Sequence, residues 1–267
     1  MKKYSHSYSV ILDNMDMTEY RLRPISAIMY LQDAFARFTA TKGMAAYDLF
    51  PKNIYWIVGE FNIDFTDKLP FWSEEITVEI WISELSKLKI YTDYNLYTNG
   101  KLFSKGNACW FLIDSESKRP VKTDFFAEKT EICPEFILGE HKKFSLIEAK
   151  EKIAQLTHKI NLSDLDFNNH VNNKSYINLA EQSVKTQFKN EYSIKNMRIK
   201  FSKETFLDDI LNCETYTTEE KDTYLCTIKK ENDTVCEIIY TLKKMEITED
   251  ILHANLKVKN EEIMEFA

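Results

Sequence analysis

The sequence predicts an α+β fold, and two observations carry the prediction. The chain runs through one pattern twice: a strand, a polar turn, a single long amphipathic helix, then several strands. Its composition supplies a core with few breakers, since 44% of the residues are hydrophobic and 13% aromatic, against five glycines and five prolines among 267. A helix and a strand meander that each have one apolar side are stable only when packed on one another. The repeat, roughly 135 residues long, far exceeds solenoid periods of about 20–50 residues and reads as a duplicated domain.

In the first copy the alternation Ser5–Leu12 predicts a strand, and Asp13-Asn14-Met15-Asp16 a turn. Pro24 suits a helix start, and Ile28, Leu31, Ala34, Phe35 and Phe38 recur at helical spacing before Gly43. In the second copy the strand is Leu156–Leu162 and the helix runs from Asn172 to about Phe188. Phe61–Thr66 and Met197–Ser202 match in alternation and in the aromatic, as equivalent strands after each helix. Asn99-Gly100 signals a two-residue hairpin turn, and Glu231-Asn232-Asp233 stands at the comparable point. Trp56, Phe61, Trp72 and Trp110 are expected in the core of the first sheet. The domains are taken as 1–128, a crossover at 129–152, charged and weakly patterned, and 153–267.

Five scattered cysteines, odd in number and without a C-x-x-C pair, predict reduced thiols and a cytoplasmic protein. No apolar h-region follows the N-terminal lysines, and no run is long enough to span a bilayer. A net charge of −7 without a basic stripe argues against a nucleic-acid partner. Without metal-ligand spacing, a G-x-G-x-x-G segment or a Walker loop, neither metal nor cofactor is expected.

The most informative segment is residues 164–173, which holds two carboxylates, one imidazole and four carboxamides. Tyr176, Ile177, Leu179, Ala180 and Val184 follow at mostly helical spacing. A loop so polar, feeding a helix N-terminus, brings acid–base groups beside unpaired N–H groups that favour developing negative charge. On composition alone the segment equally suits an asparagine-rich turn with an N-cap and one solvated histidine.

The run Asp166-Phe167-Asn168-Asn169-His170-Val171-Asn172-Asn173, with Tyr176-Ile177 after it, resembles the D-x-N-x-H-V-N-N-x-x-Y-I signature of acyl-acyl carrier protein (acyl-ACP) thioesterases. Arg198–Thr205 is similar to that family's second segment, a strand running into Glu204 and then, in plant members, a cysteine. Here Thr205 holds the cysteine position, so a cysteine triad does not carry over. Leu69-Pro70-Phe71-Trp72 and Asn107–Asp114 with Arg119-Pro120 resemble the family's N-terminal half. The resemblance, to a bacterial-type member, implies a tandem (double) hotdog, each repeat one long helix wrapped by an antiparallel sheet. It implies hydrolysis of fatty acyl-ACP to free fatty acid, ending fatty acid synthesis, with acyl carrier protein as partner and a monomer or homodimer as assembly. Thioester hydrolysis needs a base, a polarised carbonyl and a held oxyanion. Glu204 is the expected general base, with His170 polarising the carbonyl or sharing proton transfer. Asn168 would hold water or substrate, and Asp166 fix the histidine tautomer or the asparagine. The backbone N–H groups of Val171 and Asn172 are expected to form the oxyanion hole, and Thr205 to be a hydrogen-bonding spectator while water attacks.

Aligning the copies sets Thr18, Tyr20 and Lys68 against Asn168, His170 and Glu204, which leaves one site in the second half and acyl-chain binding, through residues such as Ala34 and Val58, to the first. Lys174, Lys185, Arg198, Lys200 and Lys203 are candidates to dock an acidic carrier, and His141 and His158 are read as solvated or structural. The alternatives are an acyl-CoA thioesterase, a hotdog dehydratase and a non-catalytic acyl-binding hotdog protein.

Overall fold

A computed structural model of the chain describes residues 3–15, 21–66, 69–141, 144–188 and 192–244, with backbone alone for 185–188. The strands are β1 (Lys3–Ser9), β2 (Ile54–Phe65), β3 (Glu75–Leu85), β4 (Ile90–Thr98), β5 (Lys101–Asp114), β6 (Lys152–Lys159), β7 (Tyr192–Phe201), β8 (Ile210–Thr217), β9 (Thr223–Lys230) and β10 (Asp233–Lys244). Two long helices, α1 (Pro24–Ala40) and α4 (Asn173–Phe188), accompany two single-turn helices, α2 (Ala46–Leu49) and α3 (Asp124–Ala127). All ten strands form one sheet in the order β1-β3-β4-β5-β2-β7-β10-β9-β8-β6. Its named strand pairs are antiparallel throughout. This is the α+β class that the sequence predicts. Read from either edge inwards, the order is the first, third, fourth, fifth and second strand of that half.

The two segments with matching alternation, around Phe61 and Ile199, are the central strands, and they pair with each other. Glu60 faces Lys200, Phe61 faces Ile199 and Asp64 faces Asn196 across the seam. Phe61, Ile63, Met197 and Ile199 are all buried there, so one hydrophobic core runs across both halves.

The helices start and stop as their residues dictate. Pro24 takes the first position of α1, where a missing N–H costs nothing. Gly43 ends that turn at φ +64°, a conformation glycine adopts freely. The stripe Ile25, Ile28, Leu31, Phe35 and Phe38 is buried, each side chain contributing roughly 1.5–3 kcal/mol. Tyr176, Ile177, Leu179, Ala180 and Val184 do the same for α4. Helix α1 packs on β1 and β3, α4 on β6, β8, β9 and β10, and the helices touch each other. Asn99 and Gly100 turn between β4 and β5 with φ of 49° and 72°, as a type I′ hairpin requires.

Three expectations change. The opening strands end early, at Ser9 and Lys159, and residues Leu12–Asn14 and Leu162–Asp164 form 3-10 turns. In the second turn Asn161 Oδ1 accepts the Ser163 N–H (2.9 Å) and Asp164 Oδ2 accepts the Asn161 N–H (3.0 Å), local bonds that outcompete the ladder. Leu12 and Leu162 are therefore exposed despite the alternation. Trp72 is not core: it is 52% exposed, whereas the fully buried tryptophan of the first half is Trp81.

Among the described residues, 129–141 and 144–151 carry no helix of their own. Cys133 N–H donates to Ile82 O (2.8 Å) and Ile137 N–H to Asp93 Oδ1 (2.8 Å). His141 is buried, stacked on Tyr91, with Nε2 2.8 Å from Ser83 Oγ and 3.2 Å from Asp93 Oδ2. Beyond it Phe144 packs on Leu225 and Ile239 of the other half.

Candidate active site

The polar segment forms a tight loop between β6 and α4. Leu165 and Val171 pair across its neck, and Asp166 N–H donates to His170 O (2.8 Å). Within the loop, Asp166 Oδ1 accepts the N–H groups of Asn168 (2.8 Å) and His170 (3.2 Å). Asn169 takes φ 60°, a left-handed position that asparagine tolerates better than most residues. Asp166 thus holds Asn168 and His170 by their backbones, and the imidazole finds its carboxylate elsewhere. Asn172 caps the helix, its Oδ1 accepting the Lys174 N–H (2.9 Å).

The segment after β7 brings the second carboxylate. Val171 N–H donates to Thr205 O (3.0 Å), which docks this segment against the loop. His170 Nδ1 then lies 3.2 Å from Glu204 Oε1. A carboxylate only accepts, so a hydrogen bond across this contact requires the tautomer with hydrogen on Nδ1 and Nε2 left with its lone pair. The His170 side chain keeps 20% of its surface and Glu204 34%, enough for substrate to reach them. The Phe206 ring meets the imidazole edge-on, 5.3 Å between centroids.

A third residue joins the pair from the first half. Tyr55, at the start of β2, donates its hydroxyl to Glu204 Oε1 (3.2 Å) across 149 positions of sequence. Its ring stands 6.2 Å from that of His170, with the Lys118 ammonium 5.4 Å from its own centroid. Burial first, then the Glu204 charge, pushes the Tyr55 hydroxyl up to about 12, so it stays a donor at neutral pH. Nothing local in the sequence marks Tyr55, a lone tyrosine in an apolar strand; only the β2–β7 register brings it there.

Of the predicted site residues, the structure gathers Asp166, Asn168, His170 and Glu204 about the N-terminus of α4. The predicted oxyanion hole needs correcting. The Val171 N–H is bonded to Thr205 O and the Asn172 N–H to Asp164 O (2.8 Å), so neither is free to receive an oxyanion. Among the described residues the Asn173 N–H makes no hydrogen bond, and neither do the carboxamide NH2 groups of Asn168, Asn172 and Asn173, which are further donors in this segment. The predicted basic patch also disperses. Arg198 and Lys200 stand over Phe144 on the outer face, Lys200 reaches Glu237 (3.5 Å) and Lys203 pairs with Asp233 (2.7 Å). The Lys185 side chain, like Thr18, Tyr20 and Lys68, lies outside the described residues. His158 is structural, with Nε2 2.8 Å from Asp164 Oδ2.

Comparison with known proteins bears directly on this geometry. The sequence model for the acyl-ACP thioesterase N-terminal domain matches residues 1–128, and that for the C-terminal domain matches residues 147–248. The chain belongs to the acyl-ACP thioesterase family. Among its relatives, a chloroplastic palmitoyl-acyl carrier protein thioesterase of Arabidopsis thaliana is 24% identical over 223 residues, 74% of this chain and 52% of the relative. A chloroplastic oleoyl-acyl carrier protein thioesterase of the same plant is 23% identical over 206 residues, 73% of this chain and 54% of the relative. The chain thus spans about half the length of these curated relatives. Among solved structures, an acyl-ACP thioesterase from Bacteroides thetaiotaomicron superposes with TM-score 0.74 at 19% identity, covering 91% of this chain and 98% of that one. The 12:0-ACP thioesterase from Umbellularia californica superposes with TM-score 0.79 at 13% identity, covering 92% and 98%. At such identities the superpositions speak for the fold of this family member.

Proposed function

We infer that this protein hydrolyses the thioester of a fatty acyl chain carried on acyl carrier protein, releasing free fatty acid and the carrier thiol. The observation that carries the reading is His170 Nδ1 at 3.2 Å from Glu204 Oε1, beside the N-terminus of α4, in a chain of this family. In this reading His170 Nε2 removes a proton from water as the water oxygen attacks the thioester carbonyl. Glu204, expected as the base itself, instead holds the imidazole and balances its charge. The oxyanion is received by the Asn173 N–H and the Asn168 carboxamide, where the helix dipole favours it. Collapse of the tetrahedral adduct breaks the C–S bond, and the imidazolium returns its proton to the departing thiolate.

The architecture under this proposal is a tandem hotdog. Residues 1–128 form an acyl-binding repeat, 129–152 the crossover, and 153–267 the catalytic repeat. The mirrored strand order of the two halves supports it, as does one long helix on each. Five free cysteines fit a reducing compartment, the cytoplasm. No described helix is long and apolar enough to cross a membrane.

The test is hydrolysis of acyl-ACP and acyl-CoA of matched chain length, followed across several lengths, with His170→Ala as control. Faster turnover on the carrier-bound substrates is expected. Equal or better turnover on acyl-CoA would reassign the partner, and no turnover on either would reject the reading.

A further inference from the structure

We propose that Tyr55, contributed by the first half, is a positioning residue for the His170–Glu204 pair of the second. Its hydroxyl donates to the same carboxylate oxygen, Glu204 Oε1, that lies beside His170 Nδ1. The phenol and the imidazole therefore address one anionic oxygen, the first through a hydrogen bond and the second at ion-pair distance. A hydrogen bond to a carboxylate stabilises its charge and weakens its pull on any other donor. Tyr55 in this way limits how strongly Glu204 can hold the imidazole.

The geometry makes the arrangement rigid. Tyr55 lies five residues before Glu60, which pairs with Lys200 across the seam, so the antiparallel register carries the start of β2 alongside the segment that follows β7. The Lys118 ammonium lies 5.4 Å from the ring's centroid, and the imidazole meets the ring edge-on at 6.2 Å. Among the described residues, the charged and titratable groups facing His170 are Glu204 after β7, Tyr55 on β2 with Lys118 behind it, and Asp166 in its own loop. Asp166 is bonded to backbone N–H groups, which leaves the Tyr55 hydroxyl as the adjustable neutral donor on the carboxylate.

This inference rests on the hydrolytic reading for its kinetic consequence but not for its physical one, and the experiment separates the two. Tyr55→Phe keeps the ring and removes the hydroxyl. Freed of one donor, Glu204 holds protonated His170 more tightly, so the His170 midpoint rises, by about half a pH unit for the loss of one such hydrogen bond. NMR titration of the His170 ring in the full chain, assigned with His170→Asn, reads this shift without any substrate. In kinetics the acid limb of kcat/KM moves up by the same amount, about a threefold loss below the limb. An unchanged His170 midpoint in Tyr55→Phe overturns the proposal. A shifted midpoint in a protein that hydrolyses no acyl thioester supports the coupling and rejects the hydrolytic reading.

Discussion

Tyr176 and Thr205 share a hydrogen bond of 2.7 Å between their hydroxyls, inside the protein, with Thr205 fully enclosed. Thr205 is thus a strut between α4 and the segment that bears Glu204. A threonine nucleophile would need exposure and an adjacent strong base, and this hydroxyl has neither. Thr205→Val should therefore leave kcat within about threefold while orphaning the buried Tyr176 hydroxyl, at a cost of about 1–3 kcal/mol. Thermal melts and steady-state kinetics on the same preparation check both halves of the statement, and an acyl ester trapped on Thr205 would contradict it.

His170→Ala and Glu204→Ala should each lower kcat on the order of a hundredfold or more, the usual effect of removing an acid–base partner. Both side chains are partly exposed, so the variants should melt near the parent temperature. Near-normal turnover in either folded variant would remove the pair from the mechanism.

Asp166 separates a structural demand from a chemical one. Its Oδ1 holds the N–H groups of Asn168 and His170, an acceptor role that asparagine can fill and alanine cannot. Asp166→Asn should retain most activity. Asp166→Ala should lose on the order of a hundredfold, as a misplacement of about 1 Å can cause. Faster amide exchange at Asn168 and His170 in the alanine variant alone is the accompanying sign; equal losses in both variants would mean the charge itself is required.

Glu214 gives a prediction away from the site. Hydrogen bonds from Lys229, Lys152 and Tyr216 hold its carboxyl down to about 2. An unfolded glutamate titrates at about 4.3, so the stabilisation is complete above that pH and fades as pH falls toward 2. Glu214→Gln should melt below the parent at neutral pH, with the gap closing through that acid window. A gap independent of pH would show that packing, not charge, sets it.

Much of this was legible in the sequence, for physical reasons that differ by element. Both long helices were readable because proline, asparagine and glycine mark their ends and an apolar stripe marks their faces. The Asn99-Gly100 hairpin was readable because two consecutive positive φ angles restrict the residue choice. Asp166, Asn168 and His170 stood out because such polar density is expensive to bury and so signals a site, whereas Glu204 was marked only by the resemblance of its segment to the family's. What stayed hidden depends on backbone partners that no residue type announces. The Val171 and Asn172 N–H groups look free at a helix start until the neighbouring segment takes them. Trp72 looks like core but falls in the turn before β3, which begins only at Glu75, and stays exposed. Tyr55 is ordinary in composition and becomes special only through a partner on the other side of the molecule.

The seam between β2 and β7 has a consequence for how such a site can be maintained. A slip of one residue in that ladder would displace Tyr55 by about 3.3 Å and turn it to the opposite face of the strand. Were the halves separate chains, their alignment would depend on how much protein the cell makes, and a symmetric pair would be bound to keep the same residues on both sides. Tethering them removes both conditions. The encounter becomes intramolecular, held at an effective concentration set by the crossover rather than by expression. Each half is then at liberty to change its own residues without dragging the other along, so an imidazole in one can stand beside a phenol from the other.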